Sequence, residues 1–309
     1  MEENNKKIFT FIDLFAGIGG TRLGFEAVGG KCVFSSEWDK YAQKTYQANF
    51  GETPYGDITK IPADSIPDFD VLLAGFPCQP FSTIGKRQGF KHATQGTLFY
   101  DVARILDAKK PKAFLLENVP GLLTHDNGNT FRIIKNTLKE IGYSVDHKVL
   151  NSADFGVPQQ RKRVYIVGFR KDLIPNDFKF DYPIGNRKDV YINQFLEKNA
   201  VGYSISKKLQ DNYIFKKDDG RPMIVDNNSS VHVKTLVASY HKIQRLTGTF
   251  VRDGETGLRL FTESECKAIM GFPSDFKIPV SRTQMYHQLG NSVVVPVITA
   301  IAKNMVKYL

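Results

Sequence analysis

One of the three cysteines, Cys78, stands between two prolines directly after an apolar stretch of the chain. Residues 71–76 are typical of a buried parallel strand, and Pro77 and Pro80 prevent its continuation as strand or helix. The thiol is therefore predicted on a stiff turn at the carboxyl end of a strand, where open α/β sheets form ligand crevices. Since an isolated cysteine is more often a small buried hydrophobic residue, the turn alone leaves a nucleophile and a core thiol both open.

Three further polar groups adjoin predicted strands. Glu117 follows the apolar residues 113–116, and partial desolvation there would raise its pKa toward that of a proton donor. Arg161 and Arg163 precede an apolar strand at 164–169, and side-chain alternation makes both face the same way. Two guanidiniums on one face suit an anionic or carbonyl-bearing substrate and stabilise a nearby thiolate. A capping or salt-bridged glutamate and two solvated arginines are the alternatives.

The elements that must position these groups alternate between strand-like and helix-like segments over residues 8–170. This alternation predicts an α/β fold with a mostly parallel, Rossmann-like sheet covered by helices on both faces. After about residue 175 the chain becomes polar around one β-like run at 233–239, and helical patterns return at 264–270 and 292–306. We therefore predict a catalytic and cofactor-binding domain of residues 1–175, completed by 280–309. Residues 176–279 are predicted to form a smaller, mostly irregular or β domain for target recognition, together with a hinge.

A glycine turn after the first strand predicts a nucleotide site. Gly17 and Gly19 permit a tight turn and close approach of a ligand, and Glu37 closes the second strand, where a carboxylate can bind ribose hydroxyls. Arg22 stands where a dinucleotide motif needs its third glycine. An NAD site is thus disfavoured, and a single adenosine cofactor such as S-adenosyl-L-methionine fits better. Asp57, in a polar turn, is either a plain turn aspartate or a partner for an adenine amino group.

Composition narrows the class of protein further. Lys and Arg number 42 against 32 Asp and Glu, a net charge of +10, which favours a polyanionic partner such as nucleic acid. The cysteines and six histidines do not cluster, so neither a disulfide framework nor a metal site is predicted. No apolar run reaches membrane-spanning length and the N-terminus lacks a signal-peptide core, so no membrane association and a cytoplasmic location are expected.

The order of five blocks carries a resemblance to a known family. These blocks are residues 13–20, 75–82 with Pro-Cys-Gln, 117–119 with Glu-Asn-Val, 159–163 with Gln-Gln-Arg-Lys-Arg, and 288–293 with Gln-Leu-Gly-Asn-Ser-Val. Together they resemble the cytosine-5 DNA methyltransferases, in particular those of restriction–modification systems.

The resemblance implies a role for each matching residue. Cys78 would be the nucleophile that adds to cytosine C6, Glu117 would hold or donate a proton at N3, and Arg163 would bind O2. Arg161 would support the acidic group and the cysteine. The positions that match cofactor contacts, together with the two turn glycines, are Phe15, Gly17, Gly19, Glu37, Trp38, Asp57, Ile58, Pro77, Leu98, Asn291, Ser292 and Val293. The target base must be flipped out of the duplex to reach this pocket.

Sequence recognition is assigned to the smaller domain. Thr235-Leu236 resembles the family's Thr-Leu pair in the recognition region, and Arg259 and Glu265 resemble a pair that organises this domain. Lys242, Gln244 and Arg245 are the candidates for reading base edges, although phosphate contacts are more common. The full set of predicted DNA contacts, including those of a closing loop at 82–99, is Ser82, Lys86, Arg87, Thr235, Tyr240, Lys242, Gln244 and Arg245.

The resulting hypothesis is an S-adenosylmethionine-dependent DNA cytosine-5 methyltransferase that acts on a short duplex site. Its partner would be double-stranded DNA, with a monomeric enzyme, nucleoid association through DNA and a possible cognate restriction endonuclease. A transfer-RNA cytosine-5 methyltransferase shares the catalytic blocks, and the separate recognition domain favours DNA. A catalytically inert DNA-binding protein is disfavoured by the intact Cys78, Glu117, Arg161 and Arg163.

Overall fold

The computed structural model describes residues 9–77 and 98–309, and Cys78 lies outside these residues. A six-stranded sheet has the spatial order β2-β1-β3-β4-β6-β5. Its strands are β1 (Phe9–Leu14), β2 (Gly30–Ser36), β3 (Val71–Ala74), β4 (Ala113–Asn118), β5 (Tyr143–Asn151) and β6 (Lys162–Arg170). Strands β1 to β4 are parallel, while β6 pairs antiparallel with both β4 and β5. The predicted mostly parallel Rossmann-like sheet is confirmed.

Strand direction brings the functional segments to one edge of the sheet. The carboxyl ends of β1, β3 and β4 meet there, and so does the beginning of β6, because β6 runs against its neighbours. Strands β4 and β6 are longer than predicted: β4 extends through Glu117, which pairs with Tyr165, and β6 begins at Lys162. Glu117 and Arg163 are therefore held in regular strand backbone rather than in the loops that flank it.

Helices cover both faces of this sheet and enclose two apolar clusters. The helices are α1 (Gly20–Glu26), α2 (Lys40–Phe50), α3 (Leu98–Lys109), α4 (Asn129–Glu140), α5 (Lys207–Leu209), α6 (Glu263–Met270), α7 (Arg282–Asn291) and α8 (Val295–Met305). One cluster combines one sheet face with α1, α8 and residues 176–279, called the smaller unit below, and the other combines the opposite face with α3 and α4. Apolar residues at 98, 102, 105 and 106 recur at a helical spacing, and all four lie within α3.

The smaller unit contains two short parallel strands, β7 (Met223–Val225) and β8 (Thr249–Val251), among largely irregular chain. The predicted strand at 233–239 is wrong, since only Val233 forms an isolated bridge, with Gln159. Val233 instead forms backbone hydrogen bonds with Pro158 and Gln160, just before β6 begins. A β-rich composition therefore marked an extended segment whose hydrogen-bond partners lie in the catalytic part of the chain.

A buried ion pair organises the smaller unit, as the family resemblance implied. Arg259 and Glu265 are both fully buried, and the guanidinium donates two hydrogen bonds of 2.8 Å to the two carboxylate oxygens. Arg259 also donates to Asp253 at 2.9 Å and to the carbonyl of Glu197 at 2.8 Å. These bonds join three separate stretches of chain around α6.

Removal of Arg259 alone is expected to destabilise the protein strongly. In Arg259→Met, Glu265 is left as a buried charge without its partner, which costs about 3–5 kcal/mol in the free energy of unfolding. The half-exposed pair Arg170–Asp172 provides the control, and Arg170→Gln should cost less than about 1 kcal/mol. Urea unfolding of both variants measures the difference, and equal losses would contradict this account.

The C-terminal stretch differs from the sequence prediction in two ways. Residues Arg282–Tyr308 are long and apolar enough to cross a membrane by length and composition. The expectation that no apolar run reaches membrane-spanning length is therefore wrong. The single predicted helix over 292–306 is preceded by α7, which the sequence reading missed. Both helices bury apolar side chains in the core, among them Tyr286 and Leu289 of α7 and Ile298 of α8. We therefore interpret this stretch as a core element.

Candidate active site

A cleft with a volume of about 940 Å³ opens along the carboxyl edge of the sheet. Its described lining comes from the β1–α1 turn, the ends of β2, β3 and β4, the start of β6 and the α7–α8 junction. Of the twelve predicted cofactor residues, all but Gly19 line it. Gly19 instead precedes α1 with a positive φ and packs against Phe50, which its Cβ-free backbone permits.

The β1–α1 turn is built around an unusual backbone and one carboxylate. Phe15 has φ +57°, a left-handed conformation that is rare for a bulky residue, and Gly17 has φ +55°. Glu37 accepts hydrogen bonds of 2.8 Å from the backbone N–H groups of Gly17 and Asp39. Burial raises the pKa of the Glu37 carboxyl, while these two N–H donors pull it down. Glu37 thus ties the ends of β1 and β2 together at the cleft.

Asp13, which sequence reasoning missed, supports the same turn from beneath. It is fully buried on β1 and accepts hydrogen bonds of 2.9 and 3.1 Å from the Thr21 hydroxyl of α1. Burial raises the pKa of Asp13 to about 7. The signal in the sequence was a carboxylate inside an otherwise apolar strand, because such a residue needs a specific partner.

Trp38 and Asp57 lie at the mouth of the cleft near the end of β2. The Trp38 side chain is 78% exposed although it belongs to the pocket lining, and a large exposed aromatic face is suited to stacking on a base. Asp57 caps a short 3-10 turn, and hydrogen bonds from Thr59 hold the pKa of its carboxyl below the ordinary range. An aromatic face and nearby carboxyl groups suit the adenine and ribose of an adenosine cofactor.

Glu117 and Arg163 meet at the opposite side of the cleft. Arg163 Nε lies 3.1 Å from Glu117 Oε1, across neighbouring strands β4 and β6. Burial raises the pKa of the Glu117 carboxyl, and Arg163 and then Arg161 act in the lowering direction. A Cβ added to Gly75 would lie 3.7 Å from Glu117 Oε2. The carboxyl therefore faces the chain that leads to Cys78.

Asn118 holds that chain in place, and no role was predicted for it. Its Nδ2 donates a hydrogen bond of 2.8 Å to the carbonyl of Phe76, while its Oδ1 accepts one of 2.8 Å from the N–H of Val119. Asn118 is buried. The Glu-Asn-Val block thus supplies both a carboxyl that lines the cleft and an anchor for residues 75–77.

Arg161 acts on the Glu117 carboxyl through its charge, as predicted, but its hydrogen bonds go elsewhere. Among the described residues it donates no hydrogen bond to Glu117, whose ion-pair partner is Arg163. Its guanidinium donates instead to the carbonyls of Leu236, Gly290 and Ser292 at 2.9, 3.0 and 2.8 Å. Burial lowers the pKa of Arg161 to about 10. The side chain is 3% exposed and joins the smaller unit to the α7–α8 junction.

The predicted DNA contacts of the smaller unit fall into two groups. Lys242 and Gln244 are exposed, and half-buried Thr235 donates to the carbonyl of Gln160 at 2.8 Å. Tyr240 is in the core, where its hydroxyl donates to Thr249 and accepts from the N–H of Phe261. Arg245 is also buried, and its guanidinium bonds to Asp219 and to the carbonyls of Ile214 and Lys217.

The polar atoms of Tyr240 and Arg245 thus bond within the unit in this structure, and their contact with DNA stays a prediction. Ser82, Lys86 and Arg87 lie outside the described residues. Within residues 9–77 and 98–309, no group of three or more His, Cys, Asp and Glu side chains could hold a metal ion.

The sheet and the cleft define a Rossmann-like methyltransferase that uses S-adenosylmethionine. The profile of the C-5 cytosine-specific DNA methylase family matches residues 9–307, and the chain belongs to this family. It is a DNA cytosine methyltransferase with S-adenosylmethionine as methyl donor, which confirms the family and the cofactor inferred from the five sequence blocks.

Relatives of known type support this assignment. The chain is 65% identical over 305 residues to the type II methyltransferase M.BsuFI of Bacillus subtilis, a match that covers 98% of this chain and 74% of that protein. It is 60% identical to M.MspI of Moraxella sp, over 96% and 70% of the two chains. The motif order most resembled the HhaI methyltransferase, and M.HhaI of Haemophilus parahaemolyticus is 42% identical over 96% and 93%.

Solved structures share the fold. The crystal structure of a mutant form of Spodoptera frugiperda DNMT2 has a TM-score of 0.79 at 24% identity, and the match covers 96% of this chain and 99% of that one. The identity is too low to carry more than the architecture.

Proposed function

We propose that the chain methylates C5 of a cytosine flipped out of a short duplex site, through a covalent bond between Cys78 and C6. The observation that carries this proposal is the Glu117–Arg163 pair, which faces residues 75–77, the stretch that leads to Cys78. The same cleft is lined by the β1–α1 turn. An acid with a raised pKa beside a guanidinium is the combination that a pyrimidine's N3 and O2 require.

The role proposed for each residue follows from the chemistry of cytosine. C5 is a poor nucleophile until a bond at C6 makes it electron-rich. The Cys78 thiolate adds to C6 while Glu117 supplies a proton at N3, and Arg163 donates to O2. When bound, S-adenosylmethionine supplies an electrophilic methyl group for C5. Loss of the C5 proton to a base then restores the C5–C6 double bond as the C6–S bond breaks, and N3 returns its proton to Glu117. Both the Cys78 thiolate and the acid are thereby regenerated.

Cofactor positions are assigned in the same way. Trp38 and Ile58 would contact the adenine, Glu37 would accept from ribose hydroxyls, and Asp57 would accept from the adenine amino group. Residues 291–293 would contact the cofactor from the α7–α8 junction. Asn291 Nδ2 lies 3.3 Å from His287 Nε2 one turn earlier in α7, which orients this amide.

We assign the catalytic domain to residues 1–175 with 280–309, and target recognition to 176–279. Lys242 and Gln244 are the exposed candidates for DNA contact there. We further propose a monomeric, cytoplasmic enzyme that associates with the nucleoid through DNA and protects sites cut by a cognate restriction endonuclease. The naming of relatives as type II methyltransferases supports this biological role.

Purified protein with isotopically labelled S-adenosylmethionine is expected to label duplex DNA. Sequencing that detects 5-methylcytosine, applied to DNA methylated in this way, should place the modification at one short site. Transfer RNA and duplex DNA that was methylated beforehand serve as matched substrates. Label that enters only transfer RNA would overturn the DNA assignment, and binding of DNA without any label transfer would indicate an inert DNA-binding protein.

A further inference from the structure

Two segments that are assigned to different ligands touch each other beside Arg161. The recognition segment is residues 233–238 of the smaller unit, and the cofactor loop is residues 290–293 at the α7–α8 junction. A Cβ added to Gly290 would lie 2.3 Å from the backbone N of Ala238 and 2.4 Å from the carbonyl carbon of Val237. Only a glycine allows this contact, so the two backbones lie against each other directly.

One buried guanidinium serves both segments. Arg161 donates to Leu236 of the recognition segment and to Gly290 and Ser292 of the cofactor loop, at 2.8–3.0 Å. A guanidinium is a rigid plane with its donors in fixed directions. A displacement of one of these carbonyls therefore changes the geometry of the bonds to the other two.

The recognition segment makes a second set of hydrogen bonds, and these do not involve the cofactor loop. Gln159 Oε1 accepts from the N–H of Leu236 at 2.7 Å, and Thr235 donates to the carbonyl of Gln160. The backbone of this stretch is supported by Ser152, whose hydroxyl donates to the carbonyl of Gln159 at 2.6 Å and accepts from the N–H of Arg161 at 3.1 Å. Ser152 makes a matched reference because it supports residues 159–161 without contacting either segment.

We propose that Arg161 is a positioning residue that couples the binding of target DNA at the recognition segment to the binding of the cofactor at the cofactor loop. This inference rests on the proposed function. DNA held by residues 233–238 favours the arrangement in which Leu236 accepts from Arg161. A cofactor that contacts residues 290–293 favours the arrangement in which Gly290 and Ser292 accept from the same side chain. Because both ligands stabilise one arrangement, each strengthens the binding of the other by an equal factor.

The coupling can be measured without turnover. Trp38 is the only tryptophan and lies at the cleft, so its fluorescence reports binding of S-adenosylhomocysteine. The Kd is measured alone, with a duplex that carries the mapped site, and with a duplex in which that site is scrambled. In the unaltered protein the target duplex should lower this Kd by about fivefold or more, within the usual range of coupling between sites.

In Arg161→Met the target duplex should change the Kd of S-adenosylhomocysteine by less than about twofold, because each segment then bonds separately. Ser152→Ala loses buried hydrogen bonds on the same stretch and should keep the full coupling. If circular dichroism shows that Arg161→Met is unfolded, Arg161→Lys is the second variant. Its single nitrogen cannot occupy the positions of both Nη1, which serves Leu236, and Nη2, which serves Gly290 and Ser292, so the coupling should again fall.

The outcomes separate this inference from the proposed function. Full coupling in a folded Arg161 variant, or no coupling in the unaltered protein that binds both ligands, would overturn the role of Arg161 and leave the methyltransferase assignment intact. Equal loss in Ser152→Ala would also overturn it, because general loosening of the stretch would then explain the effect. An unaltered protein that binds neither ligand would contradict the proposed function itself.

Discussion

Cys78→Ala is expected to abolish methyl transfer, with a loss of at least about 10⁴-fold in kcat, because no other group can form the bond to C6 that makes C5 reactive. Binding of S-adenosylhomocysteine, followed by Trp38 fluorescence, should remain close to that of the unaltered protein. The substitution leaves every residue of the β1–α1 turn and the other proposed cofactor positions unchanged.

Cys32 provides the matched control. Its half-buried thiol lies on β2, and burial raises its pKa to about 12, so the thiolate form is scarce at neutral pH. Cys32→Ala should retain activity. A duplex with 5-fluorocytosine at the mapped cytosine should form a covalent complex with the unaltered protein and with Cys32→Ala, because fluorine at C5 blocks the final elimination. A complex formed by Cys78→Ala would remove Cys78 from the mechanism.

Glu117→Gln is expected to lower kcat by about 10²–10⁴-fold, the usual contribution of a positioned proton donor. The amide keeps the shape of the side chain and a bond to Arg163, but it carries no acidic proton for N3. Since burial raises the pKa of Glu117, the protonated form persists to higher pH than in an ordinary glutamate. Activity should therefore be lost as pH rises through this pKa.

The pH profile separates a proton donor from a packing residue. The unaltered protein should show an alkaline limb from Glu117, the proposed proton donor. In Glu117→Gln the alkaline limb should disappear. Arg163→Lys should lower activity but retain the alkaline limb. An alkaline limb that persists unchanged in Glu117→Gln would assign that titration to another group.

The candidate reactive residues could be proposed from the sequence because each stands beside a local pattern that determines its backbone conformation. Prolines flank Cys78, glycines follow β1, and apolar runs precede Glu117 and follow Arg163. Such runs decide strand positions locally, and parallel strands bring their carboxyl ends to one edge of the sheet whatever the loops do. The family resemblance then followed from the order of these blocks.

Other assignments depended on contacts that are remote in sequence. The segment at 233–239 has strand-like composition, but its partners are residues 158–160 rather than a neighbouring strand of its own unit. Tyr240 and Arg245 looked available for DNA until their bonds to Thr249 and Asp219 placed them in the interior. Whether a polar side chain reaches solvent depends on which distant groups fold against it.

The sequence by itself determined the α/β class, the family and the cofactor, because these depend on residue types in local order. Only the tertiary structure decided that Glu117 pairs with Arg163, while Arg161 turns away to three carbonyls at 2.8–3.0 Å. Alternation along a strand predicts the face to which both arginines point. It cannot predict which acceptors lie there, because they come from residues 236, 290 and 292, whose positions depend on packing of the whole chain.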